Sequence, residues 1–152
     1  MTRISEKRDL DDPFDLNRFI SAQDKVYDRV LVELRNGSKR SHWMWYIFPQ
    51  LDGLAQSTTS KYYAIKSREE AIAIINHPIL GTRLKECAEA VLAVDGKTVS
   101  EIFGYPDDRK LKSSMTLFSE VATDSVFARV LNKYFQGEQD KKTLQLLSKP
   151  KK

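Results

Sequence analysis

Two stretches of this chain hold the residue types that chemistry needs. "SHWMWYIFPQ", residues 41–50, sets two tryptophans, a tyrosine, a phenylalanine and a histidine within ten positions. Any helix or loop built from it has apolar groups pointing several ways, so one packing face cannot hide it. The cover is either other helices or, in part, a planar ligand stacked on an indole or phenol ring. His42, Trp43, Trp45 and Tyr46 supply the wall. Gln50, with Ser57 and Tyr63 of the following "AQSTTSKYY" (residues 55–63), offers amide, hydroxyl and phenol groups to read a ligand's polar edge.

The second stretch is "PDDRKLKSSMTLF", residues 106–118. On a helix, Asp107, Lys110 and Ser114 share one face along the edge of an apolar stripe. A desolvated Asp107 suits general-base work, Lys110 suits a phosphate or other anion, and Ser114 completes the catalytic edge. A purely structural account is equally easy to state. Asp107 and Asp108 complement the helix dipole, Asp108 pairs with Lys112, and Ser113 and Ser114 pack.

Other chemistries find little support. There is no glycine-rich phosphate loop, paired-cysteine motif, histidine pair at helical spacing or nucleophile elbow. His42 and His77 are the two histidines, and His77, before a proline at a helix end, is placed to bond exposed carbonyls. No metal site and no cofactor are implied. Cys87, the one cysteine, falls inside an apolar stripe, where a thiol is inert.

Helices must position these residues. Phe19, Ala22, Val26, Val30, Leu31 and Leu34 recur at helical spacing and end at Gly37, giving one long helix or two jointed near Gln23. Capping boxes at Ser67/Glu70 and Thr98/Glu101 open two more helices, the first closed by Pro78. A stripe of Leu84, Cys87, Ala88, Val91 and Leu92 stops at "DGK", and Pro106 opens a long helix as a first-turn proline. Asp124 and Asp140 cap the last two. No period-two run appears, so the fold class is all-α, a compact single domain of about six or seven helices. It spans residues 13–147, between a flexible tail at 1–12 and a basic tail at 148–152.

Composition bounds the partners. Against 21 acidic residues stand 25 lysines and arginines, a net charge of +4 with the signs interspersed, so nucleic acid is a disfavoured partner. No apolar run is long enough for a membrane span. The single cysteine and the lack of a secretory leader point to the cytoplasm.

The segments "DLNRFISAQ", "SHWMWYIFPQLDGL", "YYAIKSREEA", "HPILGTRLKEC" and "IFGYPDDRKLKSSMTLF", in this order, resemble a bacterial and fungal family catalogued as a domain of unknown function and sometimes labelled calpastatin-like. The resemblance covers nearly the whole chain and implies a compact helical domain without a set activity. In layout, from the "FP" segment through "YYAI" and "LGTRL" to "YFQG…TLQLL", the chain is also similar to the riboflavin-biosynthesis-associated N-glycosidases acting on ADP-ribose-type compounds. It lacks their Glu-His-Tyr pattern. The expectation is an enzyme that hydrolyses an N-glycosidic bond in a nucleotide-like small molecule. The alternative is a non-catalytic module that binds a ligand or a protein partner.

Overall fold

The computed structural model describes residues 12–122 and 125–148. The expected tail at 1–12, save Asp12, the capping role of Asp124 and the terminal lysines from 149 onward lie outside the described residues. Among the described residues there are ten helices: α1 (Asn17–Asp24), α2 (Tyr27–Arg35), α3 (Met44–Ile47), α4 (Thr58–Tyr63), α5 (Arg68–Asn76), α6 (Leu80–Leu92), α7 (Val99–Phe103), α8 (Asp107–Val121), α9 (Val126–Phe135) and α10 (Lys141–Ser148). The all-helical expectation holds, but the count of six or seven was low. α3, α4 and α7 are only four to six residues long, too short to show a repeating apolar stripe. Among the described residues an isolated parallel β-bridge joins Leu51 and Ile65.

Local signals explain most helix ends. The first apolar run splits into α1 and α2 at Lys25 and Val26, and α2 stops at Gly37, whose φ of 66° favours glycine. Thr98 and Glu101 form the complete reciprocal box that opens α7. Asp140 accepts from the amide and hydroxyl of Thr143 to open α10. Pro106 is the N-cap of α8 rather than its first residue.

Two end assignments are corrected. His77 does not bond carbonyls: its Nδ1 accepts from the amides of Ile79 and Leu80, capping the start of α6. Only half of the Ser67/Glu70 box forms. Ser67 Oγ accepts from Glu70 N, while the Glu70 carboxylate accepts from Lys66 N and pairs at 2.8 Å with Arg18. Both partners are buried. The Arg18 guanidinium also donates to the carbonyls of Phe14, Asp15, Tyr62 and Ala64, so one cation ties α1 to the segment that follows α4.

α8 lies at the centre, burying seven consecutive-to-near residues from Leu111 to Phe118 against α5, α7, α9 and α10. α6 packs on α2, α5 and α9. The α5–α6 corner is tight: a Cβ on Gly81 would stand 2.2 Å from the Ile75 carbonyl oxygen, so only glycine fits. Tyr134 and Lys133 of α9 donate to the Val91, Leu92 and Val94 carbonyls and close the C-terminal end of α6.

Candidate functional site

The aromatic decamer divides at α3. Trp43, Met44, Ile47 and Phe48 are buried, whereas Trp45 and Tyr46 are half-buried. A single helical turn cannot send all its residues to one side, so neighbouring tryptophans take opposite fates. Trp43 packs edge-on to Phe103, with centroids 6.4 Å apart, and its indole N–H donates to Glu33 at 2.9 Å. The expectation that Trp43 stacks on a ligand is therefore corrected: it is core.

Glu33, near the end of α2, organises the loop that precedes α3. Besides the Trp43 indole, its carboxylate accepts from the amides of Arg40 and Ser41 and from the Ser41 hydroxyl. Burial alone would raise its pKa, but the Ser41 hydroxyl, the Arg40 amide, the Trp43 indole and the Ser41 amide together outweigh burial and hold it at about 2. Because this lies below the ordinary 4.5, its stabilisation is complete above that value and is lost as the pH falls from 4.5 toward 2. A Glu33→Gln variant is expected to be less stable than the parent by on the order of 3 kcal/mol at pH 7, with the gap closing near pH 2. Denaturant unfolding at both pH values checks this, and a gap independent of pH would contradict it.

The same loop carries Lys39. Its side chain is only 7 % exposed, and Nζ lies 2.7 Å from Asp107 Oδ2 at the start of α8. Nζ also donates to the Ser41 carbonyl at 2.7 Å and lies 4.9 Å from the centre of the Trp43 ring. The other carboxylate oxygen, Oδ1, is 3.8 Å from Lys110 Nζ. Lys110 in turn stands 5.5 Å over the ring of Trp45.

Trp45 joins this charged edge to a shallow surface cleft, which encloses about 10 Å³ and is lined among others by Gln50, Leu51, Ser60, Tyr63 and Ala64. Three of its polar groups form no hydrogen bond among the described residues: the Trp45 indole N–H, the Gln50 carboxamide and the Tyr63 hydroxyl. The Gln50 backbone is nevertheless fixed, its carbonyl accepting from Ile65 N at 2.9 Å. Burial raises the pKa of the Tyr63 phenol, which keeps it a proton donor. The wall is braced from behind by Tyr46, whose ring centroid is 5.3 Å from that of Tyr63, and by Arg18 on the carbonyls of Tyr62 and Ala64.

The structure thus places Trp45, Gln50 and Tyr63 on one cleft, and links Trp45 through Lys110 to Asp107, neither of which lines the cleft itself. Other expected members stand apart. Ser114 is fully buried with an unpartnered Oγ, because two turns into α8 the face has passed from edge to core. His42 is exposed and does not line the cleft. Tyr46 lines a separate small hollow of about 10 Å³ with Phe19, Ile47 and Leu80. Ser57 is the N-cap of α4, its Oγ accepting from Ser60 N. Lys112 pairs with Glu138 rather than Asp108. Lys39 went unnoticed in the sequence because "GSKR" reads as an ordinary polar loop.

Elsewhere, burial pushes the Cys87 thiol up to about 12, in keeping with an inert core cysteine. Among the described residues no three His, Cys, Asp or Glu side chains gather as a metal site would require. No described helix is long and apolar enough to cross a membrane.

The described residues form an all-helical fold in which a lysine–carboxylate cluster reaches, through Lys110, the ring of a tryptophan that lines an aromatic cleft. Residues 13–147 match the family described as "Protein of unknown function (DUF1810)", and the chain belongs to that family. It is similar to the crystal structure of the conserved hypothetical protein Rv1873 from Mycobacterium tuberculosis, with a TM-score of 0.90 and 50 % identity over 91 % of this chain and 100 % of that one. No curated protein matches the chain. Neither description carries the calpastatin-like label or an N-glycosidase activity.

Proposed function

We propose that the domain binds a nucleotide-like small molecule in the Trp45 cleft and hydrolyses its N-glycosidic bond. The observation that carries this reading is the position of Trp45, which lines a cleft with unpaired polar groups while lying under a lysine that neighbours a carboxylate. Trp45 provides a stacking face and Gln50 has both a donor and an acceptor for the ring edge. Lys110 meets the phosphate. Asp107 Oδ1 takes a proton from water as the water oxygen bonds to the anomeric carbon. The carbon–nitrogen bond breaks, the departing base keeps its electron pair, and the proton taken up by Asp107 passes through solvent to the base nitrogen, returning Asp107 to its carboxylate form.

The test is a thermal-shift screen against nucleotides, nucleosides, ADP-ribose and free bases, followed by product analysis on whichever class shifts the transition. A ligand at about a hundred times its dissociation constant stabilises the fold by about 2.7 kcal/mol. Turnover of that class, lowered by about 100-fold or more in Asp107→Asn, is the expected result. Full activity in Asp107→Asn sinks the catalytic assignment. The second reading, a binding module without catalysis, is favoured by the tight Lys39 contact that already occupies Asp107 Oδ2. Binding without any product would decide for it.

A further inference from the structure

We infer that Lys39 is a positioning residue for Asp107, fixing which carboxylate oxygen is presented toward Lys110 and the cleft. The inference rests on the reading of the cleft as a ligand site and adds a residue to it. Among the charged contacts of Asp107, Lys39 is the shorter by far: 2.7 Å to Oδ2, against 3.8 Å from Lys110 to Oδ1. Lys39 is also the less exposed lysine, with 7 % of its side chain accessible against 22 % for Lys110. A lysine on the surface sweeps through many rotamers, but this one is held at its ammonium tip and at its backbone. Its ammonium donates to the Ser41 carbonyl and sits over the Trp43 ring, and its backbone amide donates to the Ile102 carbonyl at 2.8 Å.

Those holding groups are themselves fixed. Ser41 and Trp43 both donate to the Glu33 carboxylate, so the order of support runs from Glu33 through the loop to Lys39 and then to Asp107. With Oδ2 taken, rotation of the carboxylate is stopped and Oδ1 remains on the Lys110 side. Lys39 itself need never touch the ligand. A nearby lysine spends its charge on the carboxylate, which leaves Lys110 as the cation available to an anionic group beside Trp45.

Two readouts test this. The first needs no ligand: in a nitrogen–proton spectrum of the lysine ammonium groups, Lys39 is expected to give a slowly exchanging signal that Asp107→Asn abolishes and Lys110→Met leaves in place. A Lys39 signal unmoved by Asp107→Asn overturns the inference. The second uses turnover of the nucleotide class. Lys39→Met is expected to lower kcat by about tenfold or more with KM changed little, and Lys39→Arg to recover part of the loss. An unchanged kcat in a folded Lys39→Met protein also overturns it. If the parent protein binds no nucleotide at all, the reading of the cleft fails, and the ammonium spectrum still decides whether Lys39 holds Asp107.

Discussion

Replacing Arg18 by methionine is expected to lower the unfolding free energy by about 3–5 kcal/mol, a large part of the roughly 5–15 kcal/mol that holds a domain of this size. The reason is what the substitution leaves behind. Glu70 has 2 % of its side chain accessible, and without the guanidinium its carboxylate keeps the Lys66 amide as partner but loses its buried counter-charge. Four backbone carbonyls, those of Phe14, Asp15, Tyr62 and Ala64, lose the guanidinium as a donor at the same time. Removing both charges, in Arg18→Met with Glu70→Leu, takes away the stranded carboxylate and is expected to regain part of the loss. The double variant cannot regain all of it, since the guanidinium's bonds to these carbonyls are still missing, although Ala64 O keeps the Lys66 ammonium and Asp15 O the backbone amide of residue 18. Denaturant titration of parent, single and double variants measures this directly. A double variant no more stable than Arg18→Met would mean that the charge left on Glu70 was never the main cost.

The second large effect separates two tryptophans that are only two residues apart. Trp43→Ala is expected to destabilise the fold by about 3–5 kcal/mol, the cost of deleting a large buried ring. It also removes one of the four donors on Glu33. Trp45→Ala, at a half-buried position, is expected to cost about 1 kcal/mol. The functional outcome runs the other way: Trp45→Ala loses the stabilisation conferred by a nucleotide, whereas Trp43→Phe, which keeps an aromatic ring in the core, retains it. Thermal melts of these variants with and without ligand give both numbers. Equal destabilisation by the two alanine variants would contradict the division of the decamer between core and cleft.

That division marks where sequence reasoning stops. The composition of "HWMWYIF" shows that the segment needs cover on more than one side. Which tryptophan turns inward depends on α3 being a single turn, and one turn leaves no periodicity to read. Helix ends were more legible, because a cap is a contact between residues three or four apart: Thr98 with Glu101, and Asp140 as the cap of the last helix, were visible as residue type and spacing alone. The long stripes on α2, α6 and α8 were visible for the same reason.

Long-range polar contacts carry no such signal. Arg18 and Glu70 are separated by 52 positions, and nothing about either residue names the other. Glu70 even looked like an ordinary partner of Ser67, because the spacing was right and only burial reassigned its carboxylate. The contact between Lys39 and Asp107 was hidden in the same way, although Asp107 and Lys110 were singled out from helical spacing. Ser114 shares their face on a helical wheel, but α8 dives into the core between them, and a wheel contains no depth.

The central claim is that the cleft beside Trp45 is where a nucleotide-like ligand binds. Its most direct measurement is a titration of tryptophan emission with ADP-ribose, in the parent and in Trp45→Phe and Trp43→Phe. The chain has two tryptophans, so each variant reports on the one that remains. The account predicts a saturable change in the parent and in Trp43→Phe, with none in Trp45→Phe. A saturable change that survives in Trp45→Phe and vanishes in Trp43→Phe, or no change in any of the three, would contradict it.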